Sequence, residues 1–206
     1  MKITSAVFDS SAAALAACPV QSLPEFAFIG RSNVGKSTLV NRIAEKRELA
    51  RVSDTPGFTK TINFFTVNRR WRLVDLPGYG FAKASQQQRA SYAGLIEDYL
   101  LHRESLVCVF LLVDASISPQ AQDLDFVHWI GEASRPFSIV FTKMDKAKGN
   151  KALEHVEAFV QTVSPWFEDS PLTFSVSAKK QDGIRALQEF IDGSASAVLD
   201  SSARVV

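Results

Sequence analysis

Gly30-Arg31-Ser32-Asn33-Val34-Gly35-Lys36-Ser37 is the stretch that decides the fold. It satisfies G-x-x-x-x-G-K-[ST] at every fixed position, follows an apolar run ending at Ile29, and leads into an amphipathic segment opening at Lys36. Strand, glycine-rich loop and helix in that order make a phosphate cradle, because backbone N–H groups of the loop and helix start converge on phosphate oxygens. Gly30 and Gly35 allow the tight approach, Lys36 neutralises the terminal phosphates, and the Ser37 hydroxyl can ligate Mg²⁺, with Thr38 beside it. Chance matches to this pattern are uncommon, and rarer still between a strand and a helix.

Outward from this loop, apolar runs alternate with longer amphipathic stretches. Strands are expected at Glu25–Ile29, Thr61–Val67, Trp71–Val74, Leu106–Val113, Phe137–Phe141 and Leu172–Val176. Helices are expected at Lys36–Lys46, Gln86–Leu101, Pro119–Glu132, Lys151–Thr162 and Gly183–Ile191. Repeated strand–helix–strand order predicts an α/β sheet with right-handed crossovers, and the near-continuous apolar runs suit strands buried on both faces. Only Asn68-Arg69-Arg70 separates the second and third strands, a hairpin length, so one strand should run antiparallel. The expectation is a mostly parallel six-stranded sheet with one antiparallel strand and helices on both faces. Residues 1–22 read as an N-terminal extension with a short Ala-rich helix stopped by Pro19, residues 23–193 as the main domain, and residues 194–206 as a C-terminal tail; from Gly193 on, the chain either extends the last helix or frays. Ala50–Lys60 lacks periodicity and holds Pro56 and Gly57; a loop that long in a compact domain is usually functional or disordered.

Three further elements stand at strand ends. Asp75-Leu76-Pro77-Gly78 follows the third strand, where a carboxylate lies beside the phosphate loop; Asp75 would hold a water on Mg²⁺, and the Gly78 N–H could sense a γ-phosphate. Asp-x-x-Gly alone is weak, since both residues also make ordinary turns. Thr142-Lys143-Met144-Asp145 closes the fifth strand. Asp145 can accept two hydrogen bonds from the N1–H and N2–H₂ edge of guanine, whereas adenine offers no such donor pair and would leave a buried carboxylate unpaired. Lys143 can lay its alkyl stem along the purine face. After the sixth strand, Val176-Ser177-Ala178-Lys179 can supply a backbone N–H to the base oxygen. Either tetrapeptide by itself could be a charged strand-end turn; their order behind the phosphate loop argues otherwise.

In this order, on these strand ends, the four elements resemble the signature of a Ras-like GTP-binding domain, a three-layer P-loop sandwich. The finer pattern of Gly30–Ser37, Thr55-Pro56-Gly57-Phe58-Thr59, Ile62-Asn63-Phe64-Phe65 and Asp75–Gly80 resembles the EngB (YihA/YsxC) family of bacterial GTPases that assist large-ribosomal-subunit assembly. The resemblance spans Leu23 to Ile191. It implies a GTP hydrolase working as a nucleotide switch, with GTP or GDP and Mg²⁺ bound, and a large ribosomal subunit or its precursor (rRNA and ribosomal proteins) as partner. A link to cell division and septation is also implied. Thr59 stands at the switch threonine whose hydroxyl meets Mg²⁺ in the GTP state, within the segment Gly57, Phe58, Thr59, Lys60 and Thr61 that would face the nucleotide. The metal set implied is Ser37, Thr59 and Asp75, and the groups acting on the γ-phosphate are Lys36, Thr59 and Gly78. The family usually carries a basic residue where Phe58 stands. Where many small GTPases have a water-orienting Gln after Asp-x-x-Gly, this chain has Tyr79. Intrinsic turnover should therefore be slow and raised by a partner or a monovalent cation. Asn33 favours the cation, since similar GTPases use an Asn at this position to help coordinate K⁺.

Composition sets the remaining bounds. A chain of 206 residues, 46 % hydrophobic, 22 % charged and 10 % aromatic, is ordinary globular material of one domain plus decoration. Lys+Arg 23 against Asp+Glu 22 excludes a polybasic arm and an acidic tail but leaves room for local basic patches. Two cysteines, Cys18 and Cys108, make neither a disulfide framework nor a four-ligand zinc site, so a reducing cytoplasm fits. No stretch reaches the ~20 apolar residues of a membrane span, and a monomer is expected. Leu15-Ala16-Ala17-Cys18 looks like a lipoprotein-processing box, but Asp9, Ser10 and Ser11 interrupt its apolar run. Arg69, Arg70 and Arg72 around Trp71, and Lys146, Lys148, Lys151 and Lys180 beside Lys143 and Lys179, are either solvated charges or RNA-facing patches. His155 reads as a surface residue. Two other classes stay open: a P-loop kinase or ATPase acting on a small molecule, and a nucleotide-gated binding module with little hydrolysis.

The switch role of Thr59 has a simple consequence. Thr59→Ala should weaken GTP by about tenfold or more, the size of one lost contact to a charged group, while GDP binding is spared. Competition against a fluorescent nucleotide reads both affinities, and equal weakening of the two would remove Thr59 from the switch.

Overall fold

A computed structural model describes residues 2–50, 61–80 and 86–203. Its strands are β1 (Ala6–Ala12), β2 (Glu25–Gly30), β3 (Ile62–Val67), β4 (Trp71–Asp75), β5 (Leu106–Asp114), β6 (Phe137–Thr142) and β7 (Leu172–Ser175). The helices are α1 (Lys36–Ile43), α2 (Gln86–His102), α3 (Ala121–Glu132), α4 (Lys151–Val163) and α5 (Ile184–Ala203). The strands form one seven-stranded sheet in the order β1-β3-β4-β2-β5-β6-β7. β3 is antiparallel to both its neighbours and every other pairing keeps one direction, so a single strand runs against the rest. The chain leaves β2 and continues to β4 on one side and β5 on the other. That reversal opens a crevice at the carboxyl end of β2, the place where sheets of this kind bind ligands.

Strand alternation divides the core between two faces. In β2, Phe26 and Phe28 join one cluster while Ala27 and Ile29 join the other; in β5, Phe110 and Leu112 oppose Val109 and Leu111. The first face packs under α1 and α5 around stacked Phe28 and Phe110, 4.9 Å apart, and edge-on Phe26 and Trp71, 5.7 Å apart. The second lies under α2, α3 and α4. No helix among the described residues is long and apolar enough to cross a membrane.

Three points that the sequence misread or left open have physical reasons. The sheet has seven strands rather than six because Ala6–Ala12, expected as part of an extension with a helix, adds an edge strand along β3; only a single 3₁₀ turn, Leu15–Ala17, is helical. Asn68 anchors this strand. With Arg69 it makes the left-handed pair of the hairpin turn, and its side-chain oxygen accepts from the Thr4 amide (2.8 Å) and Ser5 amide (3.0 Å). Second, α5 runs through Gly193 to Ala203, because Ile191 and Ala195, one turn apart, keep the same face buried. That packing outweighs the cost of about 1 kcal/mol for a helical glycine. Third, the patch around Trp71 is split: Arg69 and Arg70 are exposed at the turn, whereas the residues after them go inside. Trp71 is fully buried, Arg70 reaches Asp192 (3.5 Å) and Ser196, and Arg72 is itself buried.

Arg72 belongs to an ionic cluster at the pole of the sheet away from the phosphate loop. The fully buried Glu25 accepts from Arg103 at 2.6 and 2.8 Å, from the Tyr99 hydroxyl at 2.8 Å and from Arg72 at 3.4 Å. The two guanidinium groups also donate to the Pro19 and Val20 carbonyls, clamping the chain that joins β1 to β2. Removing one partner strands a buried charge, so Arg103→Ala should destabilise by about 3–5 kcal/mol. The exposed pair of Arg70 should cost about 1 kcal/mol or less on Arg70→Ala. Urea unfolding measures both, and equal losses would contradict this account of the cluster.

Candidate guanine-nucleotide site

The phosphate loop leaves β2 at Gly30, where a Cβ would stand 2.7 Å from the Leu112 carbonyl oxygen; no other residue fits without moving β5. Asn33 (φ 64°) and Gly35 (φ 101°) take left-handed conformations that turn the loop into the helix. Gly35 caps α1 without any side-chain hydrogen bond, so the first-turn N–H groups have no side chain competing for them. Lys36 is buried, Ser37 half-buried and Thr38 exposed on this turn. The Lys36 ammonium contacts the Asp75 carboxylate directly, and both are buried. Two residues assigned from separate motifs thus meet at one point.

The strap after β4 is stitched to the loop. The Tyr79 amide donates to the Gly30 carbonyl (3.2 Å) and the Ser32 amide to the Tyr79 carbonyl (3.1 Å), with Leu76, Pro77 and Gly78 buried beneath. The Tyr79 ring lies flat on Phe126, 5.3 Å away, and its hydroxyl donates to Asp123 at 2.8 Å. Arg31 Nε donates to the other Asp123 oxygen at 3.0 Å. Burial pushes the Asp123 carboxyl up against the opposing pull of Tyr79 and Arg31; burial and Asp123 hold the Tyr79 phenol well above its usual range, hence protonated. Arg31, expected among the nucleotide contacts, is thereby tied to α3.

At the other end, Val34, Gly35, Thr142, Lys143, Asp145 and Val176 line a cavity of about 170 Å³ together with Thr38, Leu39, Lys146, Ala178 and Lys179. Thr142 is buried, and its hydroxyl donates to the Val34 carbonyl at 2.7 Å, joining the β6 end to the phosphate loop. Asp145 receives the Ser177 hydroxyl at 2.6 Å, which pulls its carboxyl below the ordinary range. Ser177 in turn accepts from the Lys180 amide at 3.0 Å. The turn that presents it needs Gly183 (φ 72°), since a Cβ there would lie 2.1 Å from the Ser175 carbonyl oxygen. Met144 is half-buried against the second core face.

The structure therefore gathers Gly30, Ser32, Val34, Gly35, Lys36, Asp75 and Gly78 at one end, and Thr142, Lys143, Asp145, Val176, Ser177, Ala178 and Lys179 at the other. Gly57, Phe58, Thr59 and Lys60 lie outside the described residues; the Thr61 hydroxyl donates to Asn63 at 3.2 Å. The sequence reading passed over Asp114, Ser116 and Asp123. Asp114 ends β5 as Asp75 ends β4, and that shared position at a strand's carboxyl end was the available signal. His155, taken as a surface residue, is half-buried with Nδ1 2.9 Å from the Ala115 carbonyl oxygen. Lys146 and Lys179 line the cavity and are exposed; Lys148, Lys151 and Lys180 are exposed as well.

A glycine-rich loop between a strand and a helix, with an Asp145-lined cavity beside it at the carboxyl ends of the strands, is the arrangement of a Ras-like P-loop GTPase. The profile of the family described as "50S ribosome-binding GTPase" matches residues 25–143. A probable GTP-binding protein EngB of Phocaeicola vulgatus is 44 % identical over 192 residues, 93 % of this chain and 96 % of that protein. A GTP-binding protein of Arabidopsis thaliana is 46 % identical over 181 residues, 85 % of this chain and 60 % of that protein. The crystal structure of a probable GTP-binding protein engB superposes with a TM-score of 0.69 at 23 % identity, covering 84 % of this chain and 99 % of that one. The chain belongs to the EngB family and is a GTPase, converting GTP to GDP and phosphate.

Asp145→Asn replaces an acceptor pair by an acceptor and a donor, which suits the carbonyl at position 2 of xanthine. Preference should shift from guanosine to xanthosine diphosphate by about 10²-fold or more, read by direct titration with both nucleotides. Unchanged GDP binding would take Asp145 out of base recognition.

Proposed function

We propose that this GTPase is a Mg²⁺-dependent nucleotide switch that binds and releases large ribosomal particles during their assembly. The observation that carries the nucleotide part is Asp145, held ionised by Ser177, at one end of a crevice whose other end is the uncapped start of α1. In this reading Asp145 takes the guanine N1–H and N2–H₂, and the Ala178 and Lys179 amides face the base oxygen. Lys36 and the loop amides take the β- and γ-phosphates, and Gly78 offers its N–H to the γ-phosphate.

Ser37 and Asp75 suit Mg²⁺ in their chemistry. A hydroxyl and a carboxylate are hard oxygen donors, and Mg²⁺ keeps waters and phosphate oxygens rather than an all-protein cage. The ion supplies neutralisation of charge on the β- and γ-phosphate oxygens. Ser37 would ligate it directly, Asp75 through water, and Thr59 in the GTP state.

Hydrolysis would be slow in the isolated protein, because Tyr79 is fastened to Asp123 and Phe126 and cannot orient the attacking water. Exposed Asn33, in the left-handed region of the loop, is the group through which K⁺ would assist. The ribosomal partner is supported by the family description, and the exposed lysines offer phosphate-seeking charge. A cytoplasmic location and a part in cell division and septation complete the reading.

Co-sedimentation with purified large-subunit particles tests it, run with a non-hydrolysable GTP analogue, GDP or no nucleotide, beside phosphate release in K⁺ and in Na⁺. Retention by the GTP analogue above GDP, and faster release in K⁺ or with particles, are expected. Retention indifferent to nucleotide, or one rate under all conditions, would overturn the switch.

A further inference from the structure

Lys143 lies at the base pocket in a conformation that costs energy: its φ of 58° is in the left-handed region, which a residue bearing a Cβ avoids. From there its side chain runs back over the phosphate loop, with Cε 3.9 Å from where a Cβ on Gly35 would stand. The ammonium ends on Asp114 at the tip of β5. Asp114 is nearly buried, and its second oxygen accepts from both the Ser116 amide (3.0 Å) and the Ser116 hydroxyl (2.6 Å). Burial opposes its charge, but the bonds from Lys143 and Ser116 prevail and keep its carboxyl below the ordinary range. A long, flexible lysine is thus tethered to a fixed anionic post.

We propose that Asp114 is a positioning residue for the nucleotide base. By holding the Lys143 ammonium it presents the lysine stem as a preformed wall against one face of the purine ring. A loose stem would lose rotamer freedom when a base slid beneath it; a tethered one has lost that freedom already. The inference rests on the reading that Asp145 takes the base edge in this pocket, but the two contributions separate chemically. The stem touches the ring face, which all purines share, whereas Asp145 reads an edge on which guanine and hypoxanthine differ by the 2-amino group. Asp114 therefore adds nucleoside affinity without choosing among purines.

The test measures binding of GDP, inosine diphosphate and inorganic pyrophosphate to the wild type, Asp114→Asn, Asp114→Ser, Lys143→Met and the double variant Asp114→Asn/Lys143→Met. Asp114→Asn should weaken GDP and inosine diphosphate by a common factor of about 3–10, the entropy of one freed side chain, and leave pyrophosphate alone. In the Lys143→Met background the same substitution should change nothing. Asp114→Ser, smaller and still polar, should repeat the pattern and guards against a folding defect, which thermal melting of each variant reveals. The proposal is overturned by GDP affinity unchanged in both Asp114 variants, by pyrophosphate weakening as much as GDP, or by a loss that persists without Lys143. Asp145→Asn in the same series judges the underlying reading separately: if it leaves the ratio of GDP to inosine diphosphate unchanged, base recognition fails whatever Asp114 does.

Discussion

One buried hydroxyl holds the two ends of the site in register. Thr142 closes β6, yet it donates to the carbonyl of Val34 in the loop after β2, 2.7 Å away and 108 residues earlier in the chain. Inside the protein an unpaired carbonyl there would cost about 1–3 kcal/mol, so the bond favours keeping the end of β6 beside the loop after β2. Gly30 makes the same constraint from the other side, since its missing side chain lets the loop sit against the β5 backbone. Everything else at the site is arranged about that contact. Asp145 and Lys143 hang from the segment after Thr142, and Lys36 rises from the helix that Gly35 opens.

Locality decides what a sequence makes legible. A phosphate cradle is local: strand, loop and helix start occupy consecutive residues, so spacing alone carries the geometry. The tetrapeptide Thr142–Asp145 is equally local, and parallel strand order brings both segments to the carboxyl ends of their strands. The unread parts are held by partners far away in sequence. Arg72 looked like an exposed charge beside a hairpin, but Glu25 and Asp9, 47 and 63 residues away, draw it inside. Arg31 sits within the motif itself, yet its guanidinium is claimed by Asp123 from α3. Ala6–Ala12 carries little apolar periodicity because, as an edge strand, it buries only its two ends.

The near-zero net charge of +1 persists in this arrangement. Glu25, Asp75, Asp114 and Asp123 are all buried, each paired with a cation from a neighbouring element. Those four acids are matched by five cations, Arg31, Lys36, Arg72, Arg103 and Lys143, so the internal pairs are themselves close to neutral. The rest of the chain is then near neutral as a whole, although Lys146 and Lys179 at the cavity are exposed.

Direct calorimetric titration of the full chain with GDP and with ADP, in the presence of Mg²⁺, bears on the central claim most directly. A site built around an ionised Asp145 should prefer GDP by roughly 10⁴-fold, because adenine would leave that carboxylate facing no donor pair. Comparable affinity for the two nucleotides would contradict the account and leave only a phosphate-binding loop.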